Sequence, residues 1–235
     1  MHNHNDEPNV GGPPCHDPEP YAAAWTEVLA RHPGALLHPT VRGMSADAPV
    51  EGRYAHLDAL YERGLLPMAS ADPGIVSIGS MVYGNTAADT DYMFEWCRTR
   101  DLPVHISVFE PGFLRAVLRH RRNGTLPGRA KIQLYFGGTA PFGLPPTPAS
   151  LEAYASMLDG TGLVSMVGVI GGDVLENGFA TAAIDRGCHL RVGLEDFHGG
   201  RTPRNEDLVV EAAALVRSLG RDVATSEQAR TLLSA

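Results

Sequence analysis

The sequence predicts an α/β domain built around a parallel sheet. Short apolar runs with strand character alternate with amphipathic helical stretches from one end of the chain to the other. The connections between them are short, as in β/α units. The 235 residues, 43% of them hydrophobic, suffice for one sizeable core and fall short of two.

Taken in order, residues 1–16 are rich in Pro, Gly, Asn and His without apolar periodicity, and by themselves they read as a loop or tail. Asp17, Pro18 and Glu19 supply an N-cap, a first-turn proline and a first-turn acid. They open a helix to about residue 32 with Tyr21, Trp25, Val28 and Leu29 on one face. A short strand over 35–38 leads through Pro39-Thr40-Val41-Arg42-Gly43 to a helix over 50–63, stopped by Gly64. Residues 65–70 are strand-like, 73–83 irregular, and 87–100 helical. Strands follow at 104–109, 132–136, 163–169 and 190–195. Helices follow at 112–122, 147–158, 174–186, 205–219 and from 226 onward. About six β/α units result, whereas a closed eight-stranded barrel usually takes roughly 250 residues. Residues 17–235 are therefore expected as one domain about two strands short of a barrel.

A net charge of -8 argues against nucleic acid and anionic membrane as partners. Cys15, Cys97 and Cys188 are odd in number and widely spaced, without a zinc or disulfide pattern, and point to a reducing, cytoplasmic setting. No run approaches the roughly 18 apolar residues of a membrane span, and the polar N-terminus does not resemble a signal peptide.

The stretch most suggestive of chemistry is Leu190-Arg191-Val192-Gly193-Leu194-Glu195-Asp196. Period-two alternation puts Leu190, Val192 and Leu194 on one face and Arg191, Gly193 and Glu195 on the other. Two adjacent carboxylates at the end of a strand, just before a strand-to-helix loop, occupy the place where α/β folds keep their chemistry. By spacing alone, Arg191 and Glu195 serve equally as a structural ion pair.

His189-Leu190-Arg191-Val192-Gly193-Leu194-Glu195-Asp196, then Asn205-Glu206-Asp207-Leu208-Val209 and Gly220-Arg221-Asp222-Val223-Ala224-Thr225, resemble the β-keto acid cleavage enzyme family. Met68-Ala69-Ser70, Gly79-Ser80-Met81, Val108-Phe109-Glu110-Pro111-Gly112 and Gln133-Leu134 are weaker matches in the same order. The resemblance implies a TIM barrel, here lacking the first strand and most of the second. It also implies a divalent metal, usually zinc, held by an H-x-H pair and a Glu. Glu195 matches that Glu, and His2-Asn3-His4 supplies the pair. The competing placement at His38-Pro39-Thr40 would replace the second histidine by threonine. Asp196 matches the family's base and Arg191 a substrate clamp or an orienter of the acids. Thr40 and Ser70 match hydroxyls lining the substrate pocket, although Ser70 could equally satisfy loop amides. Ser107 stands where the family carries a glutamate, which alters one substrate contact.

The implied reaction exchanges acyl groups between a β-keto acid and acetyl-CoA, giving acetoacetate and a new CoA ester. Gly171-Gly172-Asp173 before a helix resembles a turn that could cradle the CoA diphosphate. His105, His120, His189 and His198 read as core, surface or loop histidines. The contrasting expectations are an N-terminally truncated, inactive homologue and a metal-dependent aldolase or lyase without CoA. A homo-oligomer is expected, because a missing strand would leave parallel edges open.

Overall fold

The computed structural model describes residues 1–4, 17–43, 48–78 and 81–233. Of the loop or tail expected over 1–16, residues 5–16, Cys15 among them, lie outside the described residues. Residues 2 and 3 are not tail but strand: β1 (His2–Asn3) pairs in parallel with β2 (His38–Pro39), in the register His2 with His38. Between them runs α1 (Pro18–Arg31), capped by Asp17, whose carboxylate accepts from the Glu19 amide. The following α2 (Val50–Glu62) buries Tyr54, Leu57 and Leu60. Next comes β3 (Ala69–Ala71), which packs beside β2.

The stretch expected to be irregular, 73–83, holds an antiparallel hairpin, β4 (Ile75–Ile78) and β5 (Met81–Gly84). Its apolar residues alternate weakly, and Ile75 and Val82 are exposed. After α3 (Ala87–Thr99), the sheet grows by repetition of β/α units: β6 (Val104–Val108), α4 (Pro111–Arg122), β7 (Ala130–Gly137), α5 (Pro148–Leu158) and β8 (Val164–Ile170). A 3-10 turn and α6 (Phe179–Asp185) lead to β9 (His189–Leu190), and α7 (Asn205–Ser218) and α8 (Ser226–Leu232) close the chain. The helix expected over 174–186 starts only at Phe179, because Asn177 and Gly178 adopt positive φ, 54° and 73°.

Strands β3, β6, β7, β8 and β9 form one parallel sheet in that order. The helices cover its outer face, and Val104, Ile106, Val108, Ile132, Leu134, Phe136, Val167 and Val169 are buried between the layers. Such burial contributes about 1.5–3 kcal/mol per large aliphatic or aromatic side chain. Among the described residues no hydrogen-bonded ring closes: the strand ladder is open between β2 and β3 and between β9 and β1. No described helix is long and apolar enough to cross a membrane.

The strand expected over 190–195 ends early. After Leu190 one more ladder bond forms, from the Arg191 amide to Val167 O (2.8 Å), and then the chain turns, with the Asp196 and Phe197 amides both reaching Gly193 O. Leu194 consequently lies half exposed rather than in the core. The glycine at 193 ends the alternation, and the turn redirects the next two carboxylates.

A histidine and carboxylate centre at the mouth of the strands

Residues at opposite ends of the chain meet where β9 faces β1. His4 Nε2 lies 3.0 Å from Glu195 Oε1 and 3.1 Å from His2 Nε2, and His2 Nε2 is 3.8 Å from the same carboxylate oxygen. Backbone pairing holds the two imidazoles there: the Thr40 amide donates to Asn3 O (3.1 Å), and the Tyr21 hydroxyl reaches the same oxygen (3.3 Å). On the other side, the Leu194 amide donates to Asn205 Oδ1 (2.9 Å), tying the carboxylate loop to the start of α7.

Arg191 organises the two acids. Its Nε and Nη2 grip the Asp196 carboxylate at 2.6 and 3.0 Å, and Nη2 also donates to Glu195 Oε2. The guanidinium sits 5.2 Å from the centre of the Tyr135 ring, over its face. Asp196 is buried, and its backbone carbonyl accepts from the amides of Gly171 (2.8 Å) and Gly172 (3.4 Å). The amides expected to cradle a diphosphate are therefore engaged in fixing Asp196. Asp173 caps the following turn through the Leu175 amide and pairs with Arg201.

Environment separates the two carboxylates. Burial pushes the Asp196 carboxyl above its usual range, with the Glu195 charge adding to it and the Arg191 grip opposing it. Burial also works against the charge on Glu195, but the hydrogen bond from His4 and the charges around it outweigh burial and bring it down to about 2. Burial pushes His2 down to about 3, so its imidazole is neutral at pH 7.

Beneath His2 lies a stack that the sequence did not reveal. His38 is stacked on His105 with centroids 4.2 Å apart, and His2 is 4.9 Å from His38. The Ser70 hydroxyl donates to Pro39 O (2.6 Å), so the contact at 3.0 Å from His38 Nδ1 makes that nitrogen the donor. Ser70 is thus committed to internal partners, while Thr40 lies half-buried beside β1. Ser107 is buried and hydrogen-bonds Asp72. Asp72, Gln133 and Tyr135 also escaped sequence reading. The signal for them was polar residues at every second place in otherwise apolar strands: Ser70 and Asp72, His105 and Ser107, Lys131, Gln133 and Tyr135. His120, by contrast, is satisfied away from this centre by Thr125 (2.8 Å), and His198 is exposed in its loop.

The donor set fits a divalent metal. In a tetrahedral zinc site with bonds of about 2.0–2.1 Å, neighbouring donor atoms are about 3.3 Å apart. The two imidazole nitrogens and the carboxylate oxygen span 3.0–3.8 Å, all on one side of the strand mouth. Repulsion between two nitrogen lone pairs at this separation favours a cation or a proton between them.

A parallel α/β fold with a two-histidine, one-carboxylate centre at the C-terminal ends of its strands defines a barrel-type enzyme whose site has the makings of a metal centre. The chain belongs to the β-keto acid cleavage enzyme family, whose profile it matches over residues 1–234. It is 25% identical to the 3-keto-5-aminohexanoate cleavage enzyme of Fusobacterium nucleatum over 95% of its length and 79% of the relative's. It is 26% identical to the 3-oxoadipate:acetyl-CoA acetyltransferase of Cupriavidus necator, over 99% of the chain and 79% of the relative. Among solved structures it resembles ObcA, determined as a binary complex with oxaloacetate (TM-score 0.71, 18% identity, 99% of this chain and 62% of that one). ObcA is also known as a ternary complex with a C4-CoA adduct and oxalate (TM-score 0.73, 20% identity, 94% and 56%). These likenesses support the TIM-barrel type of fold; the chain spans less than two thirds of the ObcA chains.

Proposed function

We propose that the chain catalyses metal-dependent β-keto acid cleavage, exchanging acyl groups between a β-keto acid and acetyl-CoA to give acetoacetate and an acyl-CoA. The observation that carries this reading is the meeting of His2, His4 and Glu195 beside Asp196, from sequence positions 191 residues apart. His2, His4 and Glu195 would hold a divalent metal such as Zn2+, which when bound polarises the carboxylate and keto oxygens of the substrate. Asp196 takes the proton from the carbon between them: it is buried, its affinity for a proton is raised, and its carbonyl is pinned by two amides. Arg191 orients both acids, and its Nη1 carries none of those bonds, leaving that nitrogen for the substrate carboxylate. Thr40 and Ser107 would contact substrate. Ser70 would act through His38.

The test is acetoacetate and CoA-ester production from acetyl-CoA with a panel of β-keto acids, alongside metal content. Wild type should bind one metal ion and turn over. Asp196→Asn should keep the metal and lose at least about 100-fold in kcat, whereas His2→Ala/His4→Ala should lose the metal. Binding that ignores those histidines, or cleavage products formed without CoA, would overturn the reading.

A further inference from the structure

Of the 19 Lys and Arg residues in the chain, Lys131 alone is a lysine. It stands on β7 in register with His105 of β6 and Val164 of β8, and alternation along the strand puts its side chain on the inward face with Gln133 and Tyr135. Its Nζ lies 4.0 Å from Met166 Sδ, and among the described residues no carboxylate pairs with it. Burial, with the charge of Arg191 adding to it, pushes its ammonium down to about 7, so that a large share of the amine is neutral at pH 7. An arginine at this place would stay charged, whereas a lysine here yields a nucleophile.

Solvent reaches the inward face at this point. The strand ladder is open between β9 and β1, Lys131, Val164 and Met166 keep part of their surface exposed, and His189, in register with Met166, is exposed. Arg191 stands one inward rung further along: its β-carbon is 3.4 Å from where Gly168, two residues beyond Met166, would carry one. On the strand to the other side of Lys131, the buried His105 has an Nδ1 with no hydrogen-bond partner among the described residues. The amine therefore has neither a counter-charge nor a wall of packed side chains between it and a small molecule entering from that flank.

We propose that Lys131 gives the barrel a second activity, the metal-independent decarboxylation of a small β-keto acid through an imine on its amine. The neutral amine adds to the keto carbon, and the carbinolamine loses water to give the imine. Once protonated, the imine draws in the electron pair of the bond to the carboxylate, which leaves as CO2. The resulting enamine takes a proton at carbon from water. Hydrolysis then releases the ketone and restores the amine, so that the keto acid anion and one proton become ketone and CO2. The choice of a β-keto acid rests on the reaction proposed above, whereas capture of a carbonyl by the amine does not.

The probe is acetoacetate, given to the full chain with and without a chelator. Sodium cyanoborohydride should trap one adduct per chain, placed on Lys131 by peptide mapping, and acetone and CO2 should form faster than in protein-free buffer whether or not the chelator is present. Lys131→Arg keeps the charge and lacks the nucleophile, and Lys131→Met keeps the stem and lacks both. Either variant should give no adduct at residue 131 and bring acetone formation down to the buffer rate. Trapping on the wild type decides the matter even where a variant fails to fold. No adduct on Lys131, an adduct confined to the Met1 amine, or acetone formation that survives in a folded variant would overturn the proposal. So would acetone formation that the chelator abolishes, which would assign it to a metal. A Lys131 adduct with acetone formation but no acyl exchange with acetyl-CoA would uphold the proposal and sink the reaction proposed above, and acyl exchange without an adduct would do the reverse.

Discussion

Acid lability should follow from the stacked imidazoles. His38 and His105 are each 2% exposed, and burial, with the charges of neighbouring groups, pushes both far below the ordinary histidine range. His2, driven down to about 3 chiefly by burial, joins them whenever no metal is bound. A group whose pKa is depressed by folding contributes stability that is present above its unfolded value, about 6.5, and lost as the pH falls below it. From pH 7.5 to 5.5 the unfolded chain takes up close to one proton per imidazole that the folded chain refuses. The cost is about 1.4 kcal/mol each, or about 4 kcal/mol for three, out of a typical total of about 5–15 kcal/mol. Urea unfolding in the presence of a chelator, followed by the fluorescence of the buried Trp25 and Trp96, measures it. His105→Phe keeps a ring stacked against His38 and removes a nitrogen, Nδ1, that has no partner. The acid loss should shrink by about 1.4 kcal/mol in that variant. A wild-type loss below about 1 kcal/mol over this interval, or an unchanged loss in His105→Phe, would refute the argument.

Two further expectations concern the carboxylates. Arg191→Met leaves Asp196 buried without its bidentate partner and should cost about 3–5 kcal/mol in urea unfolding. Adding Asp196→Asn should restore at least half of that, and additive losses would mean that the two side chains are not coupled. Gly168→Ala places a β-carbon 3.2 Å from Gln133 Nε2, 3.3 Å from Asp196 Oδ2 and 3.4 Å from the Arg191 β-carbon. Overpacking of that kind costs about 1–3 kcal/mol. Because the displaced groups belong to the site, kcat should drop by more than about tenfold while the melting temperature falls by only a few degrees; an unchanged kcat would show that Asp196 does not need this placement.

How much of this was legible beforehand divides along a physical line. Helices such as Pro18–Arg31, Ala87–Thr99 and Asn205–Ser218 announce themselves through local signals, caps and apolar spacing, and their bounds fall within a residue or two of the sequence reading. The hairpin over residues 75–84 was missed because its exposed Ile75 and Val82 break the inside-outside contrast that pattern reading needs. The strand expected at 190–195 is cut short in the structure, since alternation continues through Gly193 and Leu194 although the backbone has already turned. At the site, adjacency in sequence exposed Glu195 and Asp196, and Arg191 four and five residues earlier.

The sequence by itself determined the β/α order, the parallel sheet and the family to which the chain belongs, because these depend on short-range periodicity and on a motif contained in one segment. Only the tertiary structure brought His2 and His4 to Glu195 across 191 residues, turned the glycine amides of residues 171 and 172 onto Asp196, and stacked His38 on His105. It also left Asp72 buried without a counter-charge. Burial and counter-charge depend on which strands become neighbours, and that pairing is a property of the assembled sheet rather than of any one stretch of chain.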